Sequence, residues 1–203
     1  ILMNGLYNFI VKPIENRYDN EINIGDKKII VNTQIESFKH VSRKAIVVYT
    51  PLLLCSDIKK GDEIIVHHNI FRRWYDIKGK ERNGAGYFKD NMYIVYPDQV
   101  YLFKKQNKWL SFNDRCFVAP IKNDDQFDTA KTKNLVGILK IGNSRLEELG
   151  ITPGDTVGFK PKREWEFNLD NELLYCMKSN DIVIKYERKE NQTQYNPSWT
   201  SSS

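Results

Sequence analysis

This chain is poor in cysteine, in long apolar runs and in the residue groupings that catalysis needs. Only three cysteines occur in 203 residues. Cys55, Cys116 and Cys176 are odd in number and far apart, and two of them fall inside apolar strand patterns. They read as buried thiols of a reducing compartment, which argues against a disulfide framework or a cysteine-held metal. No stretch is apolar enough to span a bilayer, and Ile1-Leu2-Met3-Asn4-Gly5 lacks a charged segment followed by a long apolar core. The expectation is a soluble, cytoplasmic protein with no membrane partner.

Catalytic signatures are missing as well. The sequence has no His-Glu-x-x-His, no Cys-x-x-Cys, no Gly-rich loop ending in Lys-Ser or Lys-Thr, and no Gly-x-Ser-x-Gly. Gly84-Ala85-Gly86 lacks the following helix that a dinucleotide site requires. His67 and His68 are adjacent, so on a strand they would point to opposite faces and could not share a metal. Asp62 and Asp155 occupy turn positions, where a carboxylate commonly accepts from backbone amides. No enzyme, no cofactor and no metal is expected. Charge is mild: 31 basic residues are interleaved with 26 acidic ones for a net +5, which does not call for a nucleic-acid partner.

What the chain does have is one pattern written twice. Phe9-Ile10-Val11-Lys12-Pro13-Ile14, Ala45–Tyr49, Ile58-Lys59-Lys60-Gly61-Asp62 with its strand to Val66, and Asp90-Asn91-Met92-Tyr93-Ile94-Val95 form the first copy. Cys116-Phe117-Val118-Ala119-Pro120-Ile121, Gly137–Ile141, Ile151-Thr152-Pro153-Gly154-Asp155 with its strand to Phe159, and Asp170-Asn171-Glu172-Leu173-Leu174-Tyr175 form the second. The offset is 107 positions from Pro13 to Pro120, 92 from Ile46 to Ile138, 93 from Gly61 to Gly154 and 80 from Asp90 to Asp170. The shrinking offset places two insertions in the first copy, between Pro13 and Ala45 and between Asp62 and Asp90. Insertions of this kind are usually rim loops, where partners are met.

Short runs rich in β-branched and aromatic residues, bounded by Gly, Pro, Asn or Asp, predict a mainly β protein with little helix. The clearest helix candidate is 144–149, with Ser144 as its cap and Gly150 as its stop. Many short strands without a long helix to cover them favour small closed barrels. The reading is therefore two tandem small β barrels, 7–105 and 109–190. The polar stretch Lys104–Lys108 joins them, and a flexible polar tail, 191–203, follows. Alternatively, the tail orders against a neighbour through Tyr195 and Trp199.

The order of these elements resembles the co-chaperonin family, the GroES-like small β barrels that cap chaperonin rings. The resemblance is clearest in Asn113-Asp114-Arg115-Cys116-Phe117-Val118-Ala119-Pro120-Ile121, in Gly154-Asp155-Thr156-Val157-Gly158-Phe159, and from Asp170 to Ile184. Across both copies it runs from about Tyr7 to Glu187. It implies a mobile loop after the first strand, carrying an apolar triplet that docks on the chaperonin. Ile29-Ile30-Val31 stands in that place in the first copy, with a buried core strand as the competing reading; the second copy has no such triplet.

The second insertion, His67 to Lys89, holds Asn83-Gly84, a tight-turn signal for a rim hairpin. Its Phe71, Arg72, Arg73, Trp74 and Tyr75 are residue types that anchor protein interfaces or stack on single-stranded nucleic acid, or else simply line a mixed hairpin surface. Between the first two, the protein interface is preferred, because Asp76, Glu81 and Asp90 dilute the local positive charge. Two functions follow from the resemblance. One is a homo-oligomeric, co-chaperonin-like lid for a chaperonin ring. The other is a structural assembly component built from repurposed barrels, such as a viral ring or coat protein, whose location would be the virion.

Overall fold

Phe9 and Val11 are fully buried while Ile10 and Lys12, which alternate with them, are partly exposed, the period-two pattern of a strand with one face on a core. This strand, β1 (Phe9–Pro13), opens the first of two compact units, Ile1–Trp109 and Leu110–Ser203, in a computed structural model of the chain. The structure describes residues 5–14, 17, 21–24, 27–30, 42–123, 130–187 and 193–202, with backbone alone at 21–24, 27–30, 201 and 202.

In the first unit β1 is followed by β2 (Glu21–Ile24), β3 (Lys27–Ile30), β4 (Lys44–Tyr49), β5 (Glu63–Val66), β6 (Arg73–Tyr75), β7 (Glu81–Asn83), β8 (Tyr87–Lys89), β9 (Met92–Val95) and β10 (Val100–Lys105). Next comes β11 (Lys108–Ser111), within which the boundary between the units falls. The main sheet has the order β11-β10-β5-β4-β1-β9-β8, and β2-β3 and β6-β7 form separate two-stranded sheets. The second unit comprises β12 (Arg115–Lys122), β13 (Thr132–Ile141), a short helix α1 (Ser144–Glu148), β14 (Thr156–Phe159), β15 (Trp165–Leu169), β16 (Glu172–Lys178) and β17 (Ile182–Lys185). Its sheet has the order β15-β16-β12-β13-β14-β17. The fold is mainly β, and no described pairing closes either sheet.

The two sheets share one topology. Read from the other end, the second order becomes β17-β14-β13-β12-β16-β15, which matches β10-β5-β4-β1-β9-β8 strand for strand. Registers match too. Val11 faces Val47 and Tyr93, and its counterpart Val118 faces Leu139 and Tyr175. The slip in pairing between Ile10 and Val11 recurs between Phe117 and Val118. A second slip, at Val100/Leu102 against β5, recurs at Gly158/Phe159 against β17. A bulge bends a strand and fixes its register, so shared bulges are a sharper sign of common design than shared strand order.

Several sequence readings change. The offset of 80 holds only for the turns Asp90-Asn91 and Asp170-Asn171, all four of which have positive φ. For the strands that follow, register gives 82, Tyr93 to Tyr175, because the strand leaving the turn reaches this rung two residues later in the second unit. Lys104–Lys108 holds the end of β10 and the start of β11, with Gln106-Asn107 turning between them at φ 47° and 63°, and the boundary between the units falls just after it, between Trp109 and Leu110. The helix cap is Asn143, whose Oδ1 accepts from the N–H of Leu146 at 3.1 Å, one residue before the expected Ser144. Cys116 and Cys176 are buried as expected, and burial pushes the Cys116 thiol well up, but Cys55 is exposed.

The tail reading also changes. Among its described residues, Thr193 accepts from the N–H of Lys122 at 2.8 Å, and the N–H of Tyr195 donates to the carbonyl of Pro120 at 2.8 Å. Asn196 accepts from the N–H of Leu173 at 3.0 Å and donates to the carbonyl of Asn171 at 2.9 Å, and Thr200 is fully buried. The described part of the segment thus satisfies backbone groups of its own unit.

Candidate interaction surface

The two insertions of the first unit are the features that its twin lacks, and each forms its own small sheet. In the first, the neck is closed by two backbone bonds: the N–H of Ile14 to the carbonyl of Lys44 at 3.2 Å, and the N–H of Ser42 to the carbonyl of Arg17 at 3.0 Å. Beyond the neck, β2 and β3 pair antiparallel, Glu21 opposite Ile30 and Ile22 opposite Ile29. Ile29 and Ile30 therefore lie on a strand outside the seven-stranded sheet, and Val31 lies outside the described residues.

The second insertion makes a hairpin in which Arg73 faces Asn83, Trp74 faces Arg82 and Tyr75 faces Glu81. Its turn is built by Asp76, not by Asn83-Gly84. One carboxylate oxygen of Asp76 accepts from the N–H groups of Lys78 (3.0 Å) and Lys80 (2.9 Å), the other from Arg82 Nε (3.1 Å), and Gly79 takes φ +72°. The N–H of Lys80, then that of Lys78 and the Arg82 guanidinium, hold this carboxyl below the usual carboxylate range. The chain turns from β7 into β8 at Ala85-Gly86, with the N–H of Tyr87 donating to the carbonyl of Gly84 at 3.1 Å, and Asn83 is the last residue of β7.

Alternation along the hairpin divides the residues singled out from sequence. Phe71 is fully buried, edge-on to Tyr93 at 4.9 Å between ring centroids, and so belongs to the core. Arg73 is also buried, with Nη1 3.4 Å from Glu81 and its guanidinium 5.8 Å from the Tyr75 ring centroid. Arg72, Trp74 and Tyr75 are exposed, and Ile77 at the apex is completely so. Tyr195 and Trp199 belong to the second unit, the first half-buried and the second exposed.

Arg17 escaped the sequence reading, since no motif marks it. Its Nε and Nη2 donate to the carbonyl of Phe71 at 3.0 and 2.9 Å, and its Nη1 donates to Asn83 Oδ1 at 2.8 Å and lies 3.4 Å from Glu81. Its guanidinium also lies 5.6 Å from the Tyr93 ring centroid. One side chain thus fastens the neck of the first insertion to the base of the second.

His67 and His68 overturn another expectation. Both lie beyond the end of β5, so strand alternation no longer separates them, and their rings stack at 4.2 Å. Burial, then the charges of His67, Arg43 and Arg72, lower the His68 pKa to about 4. Among the described residues no three His, Cys, Asp or Glu side chains are grouped to hold a metal, and no helix is long and apolar enough to cross a membrane. Compared with known proteins, the sequence matches no family model and no curated protein.

Proposed function

We propose that this is a non-enzymatic, co-chaperonin-like protein: two GroES-like small barrels in tandem that oligomerise and cap a chaperonin ring through the β2–β3 arm. The observation that carries this reading is the separation of β2–β3 from the seven-stranded sheet, because it leaves Ile29 and Ile30 outside the strand ladder of the core. Burying a few apolar side chains per arm, at about 25 cal/mol per Å², supplies only a few kcal/mol. Repetition around an oligomer turns weak arms into a strong attachment through effective concentration. The identical strand order of the two units supports the tandem-barrel reading.

Self-association has its own support. Leu6, Tyr7, Leu52 and Leu53 are each at least 60% exposed. The two segments that carry them are laced together by backbone bonds from Leu52 to Gly5 (2.9 Å) and from Leu53 to Leu6 (3.1 Å). An apolar cluster of this kind is what a protein–protein contact covers. It is independent of the arm, and it equally favours the second reading, a structural assembly component that never meets a chaperonin.

The native mass of the protein, alone and mixed with a chaperonin ring and nucleotide, separates the two. Co-migration with the ring that is abolished by Ile30→Asp, in a variant that keeps its thermal transition, supports the lid. Oligomers that form without any affinity for the ring favour the structural component, and a monomer under both conditions sinks both.

A further inference from the structure

We infer that the β6–β7 hairpin and the adjoining β8 form a binding surface for single-stranded nucleic acid, a function that does not rest on the chaperonin reading. The insertion His67–Lys89 holds six cationic side chains, Arg72, Arg73, Lys78, Lys80, Arg82 and Lys89, against two carboxylates, Asp76 and Glu81. It thus carries four of the five net positive charges of the whole chain. In sequence these two acids, with Asp90 just beyond the insertion, dilute this charge; in the fold the two are engaged within the insertion and its anchor, and Asp90 stays exposed in the following turn. Asp76 is spent on its own turn and on Arg82, and Glu81 on Arg73 and Arg17. Arg72, Lys78, Lys80 and Lys89 remain exposed and enter no ion pair among the described residues.

Aromatic rings are interleaved with these cations. Trp74 is 52% exposed and pairs across the hairpin with Arg82, and Tyr75, Tyr87 and Phe88 are between 37 and 46% exposed. The Lys89 ammonium lies 5.4 Å from the Phe88 ring centroid, so a cation and an aromatic face stand side by side. Such rings can also anchor a protein partner, but unpaired cations set among them suit a single strand, whose bases each offer a π-face to stack while the phosphates seek lysine and arginine. The hairpin is also held in place before any ligand arrives: Arg17 grips its base through Phe71 and Asn83, and the Asp76 turn sets its apex. Little ordering cost is left to be met on binding.

The test uses the full chain and a fluorescein-labelled uridine homopolymer of about twelve nucleotides, a length within the usual site sizes. Anisotropy is read between about 50 and 200 mM salt. Saturable binding that weakens with salt is expected. Trp74→Ala should weaken it roughly 5- to 150-fold, from about 1–3 kcal/mol per stacked base. Lys78→Ser with Lys80→Ser should reduce the slope of log affinity against log salt by about 1.4, at about 0.7 for each phosphate that is no longer neutralised. The Asp76 turn needs only the backbone of these two positions, so the double variant keeps the hairpin, and Phe88→Ala supplies a second aromatic test outside it. No binding at low salt, binding unchanged in all three variants, or equal competition by duplex overturns the proposal. So does attachment to phosphatidylserine vesicles, lost with Ile77→Ser, in a protein that ignores the oligonucleotide; the apex would then be a lipid anchor.

Discussion

Asp155 and Lys185 meet at 2.9 Å, and the same carboxylate oxygen accepts from the N–H of Thr152 at 2.8 Å. The first unit repeats the device: Asp62 accepts from the N–H of Lys59 at 2.7 Å and holds the ammonium of Lys105 at 2.5 Å. In both units a glycine one residue earlier, Gly61 at φ +90° or Gly154 at φ +97°, lets the chain turn, and an aspartate ties that turn to a lysine near the end of the last matching strand. The N–H of Thr152 and then Lys185 lower the Asp155 pKa.

Because that pKa is depressed in the folded state, the stabilisation it brings is present above about pH 4, the unfolded carboxylate value, and is lost as pH falls through the folded value. Asp155→Asn should therefore unfold more readily than the parent at pH 7, and the difference should shrink below about pH 4. Thermal unfolding across pH reads it directly.

His68 gives a slope of the same sign in a higher window. Its folded pKa of about 4 lies below the ordinary 6.5, so between these values the unfolded chain binds the extra proton. Stability should fall as pH drops from about 6.5 towards 4, and His68→Asn should flatten that part of the profile. Equal profiles for variant and parent would mean that this imidazole carries none of the effect.

Gly137 and Ala45 hold equivalent places opposite Pro120 and Pro13. A methyl group is fully buried at 45, whereas a Cβ at 137 would lie 2.4 Å from Val118 Cγ1 and 2.6 Å from the Ala119 carbonyl oxygen. Gly137→Ala should cost about 1–3 kcal/mol by overpacking. Gly154→Ala meets no atom within 4 Å but must hold φ +97°, for about 1–2 kcal/mol of backbone strain. Urea unfolding of the two variants compares a packing cost with a purely conformational one.

Arg17→Ala removes the charged donor from the Phe71 carbonyl and should destabilise the first unit by about 2 kcal/mol. Hydrogen exchange should quicken together at Ser42, in the neck of the arm, and at Gly84, whose N–H donates to the carbonyl of Arg72. Faster exchange at only one of them would show that the arm and the hairpin are not mechanically linked.

Strand content, the doubling and the two insertions were legible in the sequence because each rests on local chemistry: β-branched runs, a Gly-Asp turn, a hairpin with Asp-Asn. What was not legible depends on neighbours distant in the chain. Phe71 and Arg73 look like Trp74 in a list of interface residues, and only pairing with β7 and packing on Tyr93 turn them inward. Lys104–Lys108 reads as a linker by polarity, yet the left-handed pair Gln106-Asn107 makes it a hairpin. Arg17 carries no local signature at all, since the acceptors of its guanidinium lie more than fifty residues away.

The coincident slips at Ile10/Val11 and Phe117/Val118 bear on history as well as on shape. An irregularity at the same rung of both halves is what a single kinked module, copied once, would leave behind. The arm and the basic finger, present in one descendant only, are either later gains there or losses in its sibling. One half is thereby kept to the bare sheet, while the other carries two additions that its strand ladder does not need.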